Sequence, residues 1–304
     1  MDDANARRQI SVLGATSLVG ACLLPLLTQA GWQVTAYSRR AAQPAGERLS
    51  WRRIKDAPSP APFPVREGNS PDWICVAPIW VLPEHFALLE AQGAQRVVVL
   101  SSTSRFTKDA SSDPEEQAVA RRLAAAEARV QAWAESRGVE WVILRPTLIY
   151  GLGRDKNVAE IARFIRRFGF FPVFGKAEGL RQPIHAGDVA AACVAALRTP
   201  GAANHAYNIS GGGTLAYRDM VARIFAALGR RPRLLTVPLW VFSLAVGALR
   251  RLPRYRHWSA AMAQRMNRDL VFDHSAATRD FAFRPRAFAP SIEDVPNTVP
   301  LQRT

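Results

Sequence analysis

Lysine, cysteine and histidine are scarce in this chain of 304 residues. The only lysines are Lys55, Lys108, Lys156 and Lys176, so arginine supplies nearly all of a basic total of 40, set against 25 acidic residues for a formal net charge of +15. The three cysteines, Cys22, Cys75 and Cys193, stand far apart, each in an apolar run. That spacing excludes a disulfide framework and points to small core residues in a reducing compartment. With five histidines and no His/Cys cluster at ligand spacing, no metal site is expected. No internal repeat and no nucleic-acid module occur, and the arginines are scattered, so nucleic acid is not expected as a partner. The excess charge fits an anionic membrane face, a phosphorylated ligand or a merely solvated surface. No apolar run reaches the roughly 20 residues that span a bilayer. Residues 1–8 enter the first strand without an apolar signal core, which leads to the expectation of a cytoplasmic protein.

What is present is organised around Ile10-Ser-Val-Leu-Gly-Ala-Thr-Ser-Leu-Val-Gly20. It reads as a buried strand, a tight glycine turn and the start of a helix that runs on to Ala30. A second strand, Gln33–Ser38, follows Gly31. Strand, glycine turn, helix and strand make the first βαβ unit of a dinucleotide-binding sheet. Gly14 permits the sharp turn and Gly20 lets the helix approach the sheet. Thr16, Ser17, Leu18 and Val19 bring the helix N-terminus, with its unpaired amides and positive dipole end, to a pyrophosphate. The usual middle glycine is Ser17, which narrows the approach but carries a hydroxyl able to donate. Where NAD enzymes place an acid after the second strand, this chain has Ser38-Arg39-Arg40. An arginine fork pairs with phosphate, so the expectation is NADP (NADPH) over NAD, with a solvated basic loop as the plain alternative.

Further strands are expected at Arg48–Ile54, Asp72–Ala77, Gln95–Leu100 and Glu140–Arg145, alternating with helices at Leu82–Gly93 and Asp113–Arg137. The pattern predicts an α/β fold, a Rossmann-type doubly wound parallel sheet covered on both faces. Asp113 is the expected cap of the long helix, with Pro114 at its first position and Gly138 at its end. Ala77, Pro78 and Ser101, following the fourth and fifth strands, complete the expected cofactor face. Asp56 is a further candidate at the adenine edge, and residues 57–64 read as a proline-punctuated linker. Beyond Gly151 come a basic helix, Asn157–Phe168, an aromatic stretch at Phe170–Phe174 that fits either a strand or a wall, a helix over Val189–Leu197, a strand at Ala206–Ser210 and helices over Leu215–Leu228 and Tyr255–Met266. Pro238–Leu249 with the basic run to Arg256 fits a helix roofing a cleft, or a peripheral membrane contact through 238–256.

With these pieces placed, the chain resembles the extended short-chain dehydrogenase/reductases, the group of nucleotide-sugar epimerases and dehydratases. The residues that carry the resemblance are Gly14–Gly20, Leu-Ser-Ser-Thr103, Leu-Arg-Pro-Thr-Leu-Ile-Tyr-Gly151, Pro-Ile-His-Ala-Gly-Asp-Val-Ala190 and Tyr-Asn-Ile-Ser210. The resemblance implies a dinucleotide-binding domain over 1–151 and a smaller, discontinuous C-terminal substrate-binding part over 152–304, from which segments around 182–210 return to the first domain. It places Pro146 near the nicotinamide and matches Thr103 to the catalytic Ser/Thr. It makes the motif around His185 structural, with Asp188 capping the next helix.

One departure separates the chain from typical members, which carry Tyr-x-x-x-Lys on the long helix. Here Val119 and Leu123 occupy those places, with Glu127 matching a position further along. No lysine anywhere has a tyrosine four residues before it. This resembles the atypical branch, which includes altered reductases, redox sensors and subunit-like forms. Thr103 and Tyr150 are the catalytic candidates, although the second reads more readily as a buried aromatic than as a catalytic group; Lys108, His85 and His185 are weaker ones. Arg163, Arg166 and Arg167 either meet a substrate phosphate or form a solvated face. The function expected is an NADPH-preferring oxidoreductase or epimerase-like protein acting on a sugar-nucleotide or lipid-linked small molecule, phosphorylated or not. The alternative is a non-catalytic NADPH-binding sensor or assembly subunit.

Overall fold

The computed structural model describes residues 8–39, 45–54, 71–109, 111, 113–238 and 265–296. Arg40, Asp56, the 57–64 linker, and nearly all of 238–256 and of the helix expected at 255–266 lie outside them.

Seven parallel strands form the central sheet: β1 (Gln9–Leu13), β2 (Gln33–Ser38), β3 (Leu49–Arg53), β4 (Asp72–Cys75), β5 (Arg96–Leu100), β6 (Glu140–Pro146) and, after four short strands described below, β11 (His205–Ile209). Their order is β3-β2-β1-β4-β5-β6-β11, so the direction of winding reverses between β1 and β4. A ligand crevice opens outside the carboxyl ends of strands at such a reversal.

Alternation along the strands explains the layers. In β5 and β6, Val97, Val99 and Ile143 pack on one face with Leu123, Val130 and Trp133 of the long helix α4 (Pro114–Arg137). Val98, Leu100, Val142 and Leu144 pack on the other with α1 (Leu18–Gln29) and α6 (Ala186–Arg198). Successive side chains leave opposite faces of a strand, and both faces here are covered, so the strands read as unbroken apolar runs. A second core holds Tyr150, Phe225 and Phe288 among α5 (Val158–Phe168), α7 (Tyr217–Ala227) and β8 (Phe171–Phe174). Small pairs brace this region: β7 (Ile149–Tyr150) with β10 (Ile184–His185), β9 (Leu180–Arg181) with β12 (Leu215–Ala216), and β8 with β13 (Leu234–Val237).

The long helix forms as its ends dictate. The Asp113 carboxylate accepts from the Glu115 amide at 3.0 Å, Pro114 opens the helix, and Gly138 closes it with φ of 65°. Three expectations need correction. The helix expected from Leu82 begins instead as a 3₁₀ turn over Ile79–His85, and only Phe86–Ala91 (α2) is α-helical. Pro83 lies inside that turn and has no N–H to continue an α ladder. Next, α6 starts at Ala186, and its cap is His185, whose Nδ1 accepts from the Gly187 amide at 3.0 Å. Asp188 instead accepts from the Arg286 side chain at 2.9 Å. Finally, Leu215–Ala216 pair with β9, so α7 begins at Tyr217.

The carboxyl edge of the sheet is tied together by Glu127, a fully buried carboxylate on α4. It accepts from Ser101 Oγ at 2.5 Å, from Arg145 Nε at 3.0 Å and Nη2 at 2.7 Å, and from Arg105. Burial alone would raise this carboxyl; the Arg145 and Ser101 hydrogen bonds and the two guanidinium charges outweigh it and hold the group below its ordinary 4.5. Its contribution to stability is therefore complete above that ordinary value and is lost as pH falls through the lower folded value. Removing one partner of a buried pair leaves the other charge unpaired. Glu127→Ala should cost about 3–5 kcal/mol in chemical denaturation at neutral pH, with the difference from the parent shrinking on acidification below the ordinary carboxyl range.

Candidate active site

The glycine turn between β1 and α1 is built as its sequence requires. Gly14 has φ of +84°, and a Cβ there would lie 2.4 Å from the Ala77 nitrogen. This close approach joins the turn to the residues after β4, bringing Gly14 and Ala77 to one edge. A Cβ on Gly20 would lie 2.3 Å from the Ala15 oxygen, so the first turn of the helix packs directly on the backbone of the glycine turn. Ser17 is the cap of α1: its hydroxyl accepts from the Gly20 amide at 3.0 Å. The side chain that replaces the middle glycine is turned onto the helix it starts, and its proton remains free to donate. The Leu18 and Val19 amides have no acceptor among the described residues, and no acidic residue stands in the first turn. Arg154, from the other half of the chain, donates to the Thr16 carbonyl at 3.4 Å. A helix N-terminus with two open amides and an arginine beside it can hold an anion, and a pyrophosphate fits the residues present.

Ser38 is buried at the end of β2 and Arg39 is exposed just past it. Strand register sets Arg53 of β3 beside Ser38 and Arg52 beside Tyr37. Sequence reading stopped at Arg39-Arg40 and missed these two; only the β2–β3 pairing adds them. Pro78 starts the turn after β4, while the Ser101 hydroxyl is engaged by Glu127.

A cavity of about 730 Å³ lies against the segments that follow β5 and β6. Ser102, Thr103 and Ser104 form one wall; Thr147, Leu148 and Ile149 form another. Thr103 is buried, and its amide and hydroxyl both donate to the Pro146 carbonyl, at 3.1 Å and 3.2 Å. The hydroxyl thus presents lone pairs to the cavity unless it releases Pro146. Tyr150 does not line this cavity. The alternation of β7 points Ile149 there and sends Tyr150 into the second core, edge-on to His185 and Phe288. Burial, with the nearby Asp294 carboxylate, pushes the Tyr150 phenol up to about 12. Val119 and Leu123 pack into the core against the sheet, so these two positions of α4 offer no titratable group; the carboxylate one turn further along the same face, Glu127, is taken up by Ser101 and Arg145.

Among the other candidates, Lys108 lines the cavity, 3.9 Å from Glu116. His185 accepts at Nδ1, so its Nε2 carries the proton and donates to Asp294 at 3.0 Å, fastening the C-terminal segment. Burial lowers the His85 imidazole, and it lies outside the cavity lining, as do Arg163, Arg166 and Arg167. The cysteines are free thiols, with Cys75 pushed up to about 12 by burial. No group of metal-ligating side chains occurs among the described residues.

The structure adds residues that no motif announced: Glu116, Arg181, Tyr217, Arg265 and Arg268 in the cavity wall. They come from distant parts of the chain and meet only through tertiary folding. Arg181 is nearly buried, donates to the carbonyls of Leu180 and Arg268 at 2.7 Å each and to that of Arg265, and lies over the Tyr217 ring at 5.5 Å. It clamps the 265–268 segment to the wall. Arg265 pairs with Glu116, and Arg268 has no carboxylate partner among the described residues. Four cationic side chains therefore share the wall with one carboxylate.

A profile of the NAD dependent epimerase/dehydratase family matches residues 86–210. Solved structures share the architecture along its length. UDP-glucuronic acid 4-epimerase from Bacillus cereus, in complex with NAD, superposes with TM-score 0.65 at 15% identity, covering 94% of this chain and 95% of that one. MoeE5 in complex with UDP-glucose and NAD gives 0.64 at 20% identity, covering 92% and 94%. The chain shares the fold of these solved proteins. Sequence relatives match over parts only. UDP-glucose 4-epimerase of Vibrio cholerae is 29% identical over 119 residues, 39% of this chain and 36% of that protein. A mitochondrial subunit of Arabidopsis thaliana, NADH dehydrogenase [ubiquinone] 1 alpha subcomplex subunit 9, is 28% identical over 100 residues, 33% of this chain and 25% of its own length. The matched regions thus span well under two thirds of these curated relatives.

The capping role of Ser17 has a direct consequence. Ser17→Ala should destabilise the protein by about 1 kcal/mol and Ser17→Gly by only a few tenths, measured by denaturant unfolding.

Proposed function

We propose that this protein is an NADPH-preferring oxidoreductase or epimerase/dehydratase of the atypical extended short-chain type, acting on a small molecule that carries a phosphate or diphosphate, of which a sugar nucleotide is the leading case. The observation that carries the reading is the cavity beside the sheet edge, with Thr103 in its wall and four cations set against one carboxylate. Such a wall favours an anionic substrate at a site partly shielded from water. The substrate class is supported by similar solved proteins, since MoeE5 holds UDP-glucose and NAD and the UDP-glucose 4-epimerase of Thermotoga maritima holds UDP-glucose.

In this reading the pyrophosphate of the dinucleotide lies on the open Leu18 and Val19 amides beside Arg154, and Gly14 and Ala77 keep the backbone close to it. Arg39 and Arg53 flank the adenosine end, where no acid follows β2, which supports a 2′-phosphate over a bare ribose hydroxyl. The bound nicotinamide supplies hydride acceptance or donation. Thr103 orients the reacting oxygen through the hydroxyl that Pro146 holds in place. Arg268 and Lys108 attract the substrate phosphate, and Arg181 keeps the 265–268 wall in position. No group on the α4 face does the work of a tyrosine–lysine pair, so proton transfer falls to the substrate's own groups or to water, and slow turnover is expected.

A second reading has an observation of its own. The apolar Val119/Leu123 face and the partial match to a subunit of mitochondrial NADH dehydrogenase favour a non-catalytic NADPH-binding sensor or assembly subunit.

Fluorescence titration of the purified protein with NADPH and NADH tests the cofactor assignment. NADPH should saturate at least about tenfold more tightly, a difference of roughly 1.4 kcal/mol. Arg39→Ala should weaken NADPH while leaving NADH unchanged; equal affinities, or no effect of the substitution, would contradict the assignment. A screen with nucleotide-linked sugars then separates the two readings. Turnover that drops in Thr103→Val at unchanged NADPH affinity supports the enzyme, and saturable NADPH binding with no turnover supports the sensor or subunit.

A further inference from the structure

The face that β13 and the end of α5 present on the second lobe is unlike the rest of the surface. Phe164 packs in a ring cluster with Phe168, Phe170 and Phe171 at centroid distances of 4.6, 5.8 and 5.5 Å. Only part of that cluster is covered: Phe168 is 51% exposed, Phe170 36%, and Leu235 on the adjoining strand 53%. Pairing of β13 with β8 sets Leu235 opposite Pro172, and the Phe171 amide donates to the Arg233 carbonyl at 2.9 Å, so these apolar groups form one neighbourhood.

Its charge is of one sign. Residues 161–177 and 220–238, which build the face, contain no aspartate or glutamate. The Arg167 guanidinium lies over the Phe168 ring at 5.3 Å. Arg230 donates to the Ile165 carbonyl at 2.8 Å and so fixes the loop against the end of α5. Arg167, Arg231 and Arg233 are exposed and have no carboxylate partner among the described residues. The sequence continues from Pro238 directly into the apolar run ending at Leu249 and then the basic run to Arg256, the same pairing of character.

From this we infer that the Phe168–Phe170–Leu235 face, rimmed by Arg167, Arg231 and Arg233, docks on an anionic lipid surface. Exposed rings and a leucine insert at the level of the headgroups while the surrounding guanidiniums meet lipid phosphates. A second copy of the chain is a poor occupant, because the same unpaired arginines would face one another in an isologous contact of a chain already at +15. The inference does not depend on the cofactor or on turnover.

The test is sedimentation of the full chain with vesicles of phosphatidylcholine alone and of phosphatidylcholine mixed with phosphatidylglycerol. Binding should appear with the mixed vesicles and not with the neutral ones. It should fall when salt rises from about 0.1 M to 1 M, which shortens the screening length from about 10 Å to 3 Å. Arg167→Gln with Arg231→Gln should weaken it about thirtyfold, roughly fivefold per arginine. Phe168→Ser with Phe170→Ser should weaken it about tenfold. Both variants should keep the parent's melting temperature and NADPH affinity, which shows that the fold and the cofactor site are intact. Failure to sediment, equal binding to both vesicles, or parental binding by both variants would overturn the inference. So would loss of binding only on replacing Arg250 and Arg251, self-association abolished by the Phe variant, or retention on RNA in place of vesicles.

Discussion

Glu127 is the constraint on which the arrangement of the cleft depends. One carboxylate, without contact with solvent, joins the end of β5 through Ser101, β6 through Arg145 and the short helix α3 (Ser104–Thr107) through Arg105. The segments that leave these strands are the walls of the cavity and include Thr103. A buried charge is tolerable only when its partners are in place, so α4 cannot shift along the sheet without breaking three contacts at once. The helix face that would carry a tyrosine–lysine pair is apolar here, and the polar anchoring of α4 to the active edge falls to Glu127, one turn beyond Leu123.

Two kinds of arginine can be told apart in the structure. Some are structural cations satisfied by main chain: Arg181 with three carbonyls, Arg230 at the end of α5, and Arg96, which donates to the Ala196 carbonyl and to Glu140. The rigid fork of the guanidinium suits this work better than an ammonium does. Others, Arg39, Arg53, Arg154 and Arg268, have no carboxylate partner among the described residues, and in the proposed function they meet ligand phosphates.

Much of the fold was legible because its signals are local. Gly14 and Gly31 mark turns, Gly20 marks the close packing of α1, the Val-rich runs mark strands covered on both faces, and Asp113-Pro114 with Gly138 brackets α4. The errors also have local causes: Pro83 cut the α ladder of a predicted helix, and His185 displaced Asp188 as a cap because its Nδ1 reaches the Gly187 amide. The glycine turn and Arg39 were readable for the same reason. The cavity wall was not. Glu116, Arg181, Tyr217 and Arg265 are separated by scores of residues and carry no shared spacing, and the orientation of Tyr150 follows from the register of a two-residue strand. Periodicity cannot report such contacts, which exist only once the two cores have packed.

A dinucleotide bound across the amino end of α1 would cover the Leu18 and Val19 amides, which have no acceptor among the described residues. Hydrogen–deuterium exchange with and without saturating NADPH should then show slowed exchange at Leu18, at Val19 and in the segment around Ala77, with β8 and β13 unchanged. Exchange at Leu18 and Val19 that is the same with and without NADPH would contradict this placement.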